Sequence, residues 1–523
     1  YAALTLASFG PPLAAFVACL FDRWWWHAPW FVVGAGIGIG NARLQAHNYP
    51  GVHLYAAVLA AALLAPVLAE PSRSDRLRVR VLAAVAVLGL FALLVRPAAA
   101  VATDLSQSPG AVFAPFVAQA RFALSVRTGA ATARGPWFRD RSQLKPRPAT
   151  EPRLIKDPIV LLLTIDAFRA DLISDPKYEE KLPTLHRLKR DGIYFSFAHS
   201  PSPQTAASIA AIFSGRTHSQ LRWSEHPLLS NPAKTFPHED PRARFPELLA
   251  QAGTETVVAA STNTFLNTFG LARGFTEEYL DVARAGRHSQ LLLQRVRQRV
   301  HGPLFWWGHF LEPHAPYAGN TGSEFERYLQ EVAVVDRAIA RMLAAIDKAR
   351  LTSRTVVIVT GDHGEAFGEH NTYYHATTLY EELLRVPLLV LVPGLSPRII
   401  ERPVSGLDLG PTILDLFGLA TPASFMGESF VPLLLGREFT FERPLVAESG
   451  RNMRAMFFDD GKKLIVDERN GTLELYDLKR DPKELENVFD APELDGGSRL
   501  GELRSYFDAH EYRRPGYKRP FRP

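Results

Sequence analysis

Two stretches of this 523-residue chain are apolar from end to end, and each stops at an acidic residue. Ile159 to Ile165 runs into Asp166, and Val356 to Thr360 runs into Gly361-Asp362-His363. Such a run, bounded by polar residues, reads as a strand buried on both faces, the mark of a largely parallel sheet covered by helices. Pro387 to Val392 makes a third run, and helical patterns such as Glu324 to Ala349 lie between them. An α/β domain follows, in which ligands gather beyond the carboxyl ends of the strands. A carboxylate at a strand tip either serves a ligand or caps the next helix. Two of them with an adjacent histidine point to a metal site formed by Asp166, Asp362 and His363. Oxygen and imidazole donors without thiolate suit Zn²⁺, Mn²⁺ or Mg²⁺.

The first hundred residues are of another kind. Between Leu4 and Val95 the only charged residues are Asp22, Arg23, Arg43 and a cluster from Glu70 to Arg80. Four apolar stretches, Leu4 to Phe21, Trp24 to Gly40, Val52 to Ala69 and Val81 to Val95, are expected to be membrane helices. Trp24, Trp25, Trp26 and Trp30 suit an interfacial aromatic belt. Arg73, Arg76, Arg78 and Arg80 make the loop before the fourth stretch cytoplasmic, so the chain after Arg96 is expected outside the cytoplasm. Expected boundaries are a transmembrane region over 1–96, a connector over 97–155, a catalytic domain over 156–440 and a C-terminal subdomain and tail over 441–523. Because the sequence begins at Tyr1, a preceding segment is also expected. A net charge of +5 without a Lys/Arg run argues against a nucleic-acid partner. The one cysteine, Cys19, excludes a disulfide framework and a thiolate metal site.

The segment from Ser200 to Arg216 opens with a Pro-rich loop and becomes helical. Thr205 falls at the helix start, where backbone N–H groups and the helix dipole favour an anion. It is either an N-cap or a nucleophile whose hydroxyl a metal ionises.

From about Pro158 to Asn487 the chain resembles the sulfatase branch of the alkaline phosphatase superfamily. Sulfatases carry Cys or Ser, followed by x-Pro-Ser-Arg, ten residues before a Gly-Arg pair; ten residues before Gly215-Arg216 is Thr205. Leu379 to Pro387, Val404 to Gly418 and Leu473 to Pro482, the last followed by Glu484 and Asn487, resemble further family segments in the family's order. The resemblance implies an alkaline phosphatase-like mixed, mostly parallel sheet between helices, with a small C-terminal α+β subdomain.

The departures shape the functional expectation. Thr205 cannot yield a formylglycine, Ser208 is followed by Ile209 where sulfatases have Arg, and Ala167 replaces a second carboxylate after Asp166. The set Asp166, Thr205, Asp362 and His363 resembles that of phosphoethanolamine transferases and lipoteichoic acid synthases, which implies that these four hold one divalent ion, Zn or Mn before Ca or Mg. The resemblance also makes His314 and His375 catalytic, and His309 and Ser208 substrate-binding, with His370 structural. The function expected on this basis is transfer or hydrolysis of a phosphoryl group on an envelope lipid or glycan, at the periplasmic side of a bacterial inner membrane. The alternatives are a sulfuric ester hydrolase and an inactive, membrane-tethered binding protein.

Overall fold

The computed structural model describes residues 135–517 apart from 142, 151–153, 228–234, 280–284, 299–300, 319–320, 451–452, 469 and 516. The expected membrane helices of 1–96 and most of the connector lie outside the described residues. Among the described residues no helix is long and apolar enough to cross a membrane. Residues 129–469 and 475–523 form one compact unit; of the other, 1–128 with 470–474, only the short second piece is described.

The run at Ile159–Ile165 is a strand, β1, with all seven residues buried. It joins β2 (Ile193–His199), β3 (Glu255–Ala260), β4 (Glu277–Tyr279), β5 (Leu304–Phe310), β6 (Thr355–Gly361), β7 (Arg385–Leu391) and β8 (Arg398–Ile400). Their order across the sheet is β8-β2-β7-β6-β1-β5-β3-β4, with Val404–Ser405 also on β2, making nine strands among the described residues. β1 sits centrally, parallel to β5 and to β6. Side chains alternate across it: Val160 and Leu162 enter one core, while Leu161, Leu163 and Ile165 enter the other.

Helices fill both faces. α1 (Pro183–Asp191), α4 (Ala285–Arg297) and α5 (Glu324–Lys348) contribute Leu185, Leu292 and Val332 to one core. α2 (Thr205–Ser214), α3 (Phe245–Gln251) and α6 (Leu409–Leu416) contribute Phe213, Leu249 and Ile413 to the other. The 25 residues of α5 begin at a capping box, in which Ser323 and Glu326 satisfy each other's backbone N–H groups.

One strand departs from the expected direction. β7 runs antiparallel to both neighbours, β2 and β6. Its register on β2 shifts between Val386 and Leu388. Pro387 lies in that gap and has no N–H to give the ladder, so the pairing skips it. Beyond the main sheet, β9 (Leu445–Ser449), β10 (Met453–Phe457), β11 (Lys462–Asp467) and β12 (Thr472–Asp477) form a second sheet in sequence order. The last described helix is α7 (Gly496–His510).

Candidate active site

β1 and β6 pair with Ile165 opposite Gly361, so the next residues, Asp166 and Asp362, leave the sheet side by side. On the other flank of β1 the register sets His309 of β5 opposite Thr164. His309 Nε2 lies 3.4 Å from Asp166 Oδ2, while its Nδ1 is 2.8 Å from Thr164 Oγ1. That hydroxyl also accepts the Trp307 indole N–H at 2.9 Å, which fixes the ring from behind. Ligand atoms of Asp166, His309 and Asp362 all lie within 4.8 Å of one another, and all three residues are buried. Among the described residues, Asp166 Oδ1, His309 Nε2 and Asp362 Oδ2 have no hydrogen-bond partner. Buried polar atoms left this way cost free energy unless something satisfies them. The donor set therefore fits a divalent cation.

Electrostatics point the same way. Burial works against ionisation of Asp166, yet the neighbouring imidazoles of His309 and His363 outweigh it and hold its pKa below the usual range. Burial, and then the charge of Asp166, push Asp362 upward. Two buried carboxylates this close cannot both ionise without a compensating cation.

Thr205 faces this centre. It is the first residue of α2, following Gln204 at the N-cap, whose side chain does not cap the helix. Its Oγ1 instead lies 3.0 Å from His363 Nε2 and 3.5 Å from Asp166 Oδ2. His363 Nδ1 lies 2.8 Å from the Gly364 carbonyl, which requires its proton on that nitrogen and leaves the Nε2 lone pair for the centre. Burial, reinforced by His375, lowers the His363 pKa to about 4, so the ring is neutral. Gly364 is required for close packing: a Cβ there would collide with the Glu382 carbonyl. Ser208 is wholly buried, and its hydroxyl donates to the Asp362 carbonyl at 2.6 Å. Its observed part is to hold the β6 tip.

A short hairpin, Ala366–Phe367 against Tyr373–Tyr374, folds the chain back after β6. It returns His375 to within 4.5 Å of the His363 ring, and His314 lies 5.0 Å from His375, centroid to centroid. The structure thus gathers Asp166, Thr205, His309, Asp362, His363, His375 and His314. His370 points elsewhere, pairing with Glu382 at 2.8 Å and stacking on Tyr380.

Sequence reasoning missed Glu365 and Tyr317. Wholly buried Glu365 accepts the Tyr317 hydroxyl at 2.8 Å and faces His375 Nδ1 at 3.1 Å. Burial alone would lower the His375 pKa; Glu365 more than reverses it. Ala167 was noted for its missing carboxylate, but its backbone participates. It holds φ at +54°, and its N–H donates to Asp362 Oδ1 at 3.2 Å.

The profile of the family described as Sulfatase matches residues 158–419. That of N-sulphoglucosamine sulphohydrolase, C-terminal, matches 368–499. Arylsulfatase K of Mus musculus is 31% identical over 175 residues, 31% of this chain and 32% of that one. Delta 4,5-hexuronate-2-O-sulfatase of Bacteroides thetaiotaomicron is 30% identical over 201 residues, 35% of this chain and 40% of that one. The chain spans about a third of the length of the curated relatives it matches. A solved protein of the alkaline phosphatase superfamily from Vibrio parahaemolyticus superposes with a TM-score of 0.53 at 15% identity, over 75% of this chain and 97% of that one. That likeness carries the fold. The curated names overturn the expectation of phosphoryl transfer: these relatives are named sulfatases, which favours the alternative of sulfuric ester hydrolysis.

Proposed function

The chain belongs to the sulfatase family, and from that premise we propose that it hydrolyses sulfuric esters, with Thr205 as the nucleophile. The observation that carries this reading is the Thr205 hydroxyl, 3.0 Å from His363 Nε2 and beside the unsatisfied carboxylate and imidazole atoms. Asp166, His309 and Asp362 would hold a divalent ion, with Zn or Mn favoured over Ca by the imidazole donor, while His363 Nε2 faces Thr205. Such an ion supplies charge neutralisation for the sulfuryl oxygens and acidifies a nearby hydroxyl.

The protein's own groups do the rest. His363 Nε2 accepts the Thr205 proton as Oγ1 attacks sulfur, and the ester S–O bond to the alcohol breaks. Water then attacks the same sulfur, releasing sulfate, and Thr205 recovers its proton. The substrates we propose are sulfated glycans, on the strength of the hexuronate sulfatase among its relatives.

The test is sulfate release from sulfated saccharides by purified protein, with and without added Zn²⁺ or Mn²⁺. Metal-dependent release supports the reading. Cleavage of a phosphodiester without any sulfate release would overturn it.

A further inference from the structure

The groups that the reaction above leaves unused are wholly buried Glu365 and half-buried His375, whose ring lies against His363. Resting on the sulfatase reading, we infer that Glu365 positions His375 as the acid that protonates the leaving oxygen, and that the esters cleaved are those of alkyl alcohols such as sugar hydroxyls.

The argument begins with what Glu365 touches. Among the described residues its carboxylate meets two polar groups: the Tyr317 hydroxyl at 2.8 Å and His375 Nδ1 at 3.1 Å. The nearby Arg169 guanidinium is not its partner. Arg169 pairs with Asp171 at 2.8 Å and Glu369 at 2.9 Å, and reaches Glu365 only at its backbone carbonyl, at 2.7 Å. Tyr317, Tyr328 and Phe367 pack on one another around this spot, with centroids 5.1 to 5.9 Å apart. A carboxylate buried in such surroundings is costly unless its bonds are used.

Its bond to Nδ1 fixes the imidazole. The carboxylate accepts Nδ1–H, so Nε2, on the far edge of the ring, is the nitrogen free to face the reaction. That ring lies 4.5 Å from His363 and 5.0 Å from His314. The end of the hairpin is held in place, since the Ala376 N–H donates to the Pro203 carbonyl at 2.9 Å, just before Thr205.

The chemistry then selects the substrate. When the S–O bond breaks, the electron pair stays on the departing oxygen. A phenolate carries it unaided; an alkoxide leaves far more slowly unless a proton arrives as the bond breaks. The proton passes from His375 Nε2 to that oxygen. In the second step Nε2 takes a proton from the attacking water, so the ring ends as it began. A site built around such an acid suits poor leaving groups.

The experiment compares one alkyl ester, a sulfated monosaccharide, with one activated aryl ester, nitrocatechol sulfate. It uses wild-type protein, Glu365→Gln and Glu365→Asp, each checked by thermal melting. Glu365→Gln should lose kcat on the sugar sulfate by ~100-fold or more, and on the aryl sulfate by under ~10-fold. Glu365→Asp should restore much of the sugar sulfatase activity. Equal losses on both esters, or none, would overturn the inference. If wild-type protein releases sulfate from neither ester, the sulfatase reading itself fails. A crystal structure of Glu365→Gln with the His375 ring unmoved would independently overturn the positioning role.

Discussion

Asp166 and Asp362 share a wholly buried space, and in the absence of a cation the second is pushed toward its neutral form by burial and by the first. Asp362→Asn should therefore raise the melting temperature of metal-free protein while abolishing the rise that Zn²⁺ or Mn²⁺ gives the wild type. Differential scanning fluorimetry with and without metal checks both signs. Thr205→Ala should lose at least ~100-fold in turnover yet keep the metal-induced rise, because Asp166, His309 and Asp362 remain. Thr205→Ser should retain part of the activity, which sulfate release would read. The two acids and Thr205 were legible in the sequence, since each follows a pattern that announces a strand tip or a helix start. His309 was legible only as a histidine near a family segment. What makes it a donor is the register of β5 on β1, and nothing in Trp-Trp-Gly-His reports that register.

Among the elements, β11 is tied to the segment entering β7 by a buried ion cluster. Lys463 Nζ lies 3.0 Å from Glu381 and 2.8 Å from Glu484, and Glu381 also meets His199 of β2 at 3.0 Å. Among the described residues Lys463 alone bridges these two acids, and removing it would leave buried negative charge unpaired. Lys463→Met should cost about 3–5 kcal/mol in urea unfolding at pH 7. Burial opposes the charge of Glu381, but Lys463 and His199 prevail and hold its pKa well below the ordinary carboxylate range. Its contribution to stability is thus fully present above about pH 4.3, the unfolded value, and declines as pH falls toward the folded value. The deficit of Lys463→Met should be largest at neutral pH and shrink below about pH 4, which unfolding curves across that range would record. The buried runs made β1 and β6 readable. The direction of β7 was not, because an apolar run looks the same whichever way it points.

For the whole molecule, we propose that the catalytic unit lies outside the cytoplasm, on the arginine cluster from Arg73 to Arg80. A periplasmic reporter fused after Pro152 should be active; activity of a cytoplasmic reporter alone at that point would reverse the topology. The sequence by itself determined the layered α/β class, the strand tips where chemistry gathers, the helix that starts at Thr205 and the family. It could do so because burial on both faces and helix initiation are local properties, written in consecutive residues. Tertiary structure alone decided that His309 joins Asp166 and Asp362, that Ser208 braces the Asp362 carbonyl, and that a hairpin returns His375 to Glu365. Those contacts join residues up to 196 positions apart, counting from Asp166 to Asp362. They depend on strand register and chain reversal, which no local pattern of apolar and polar residues encodes.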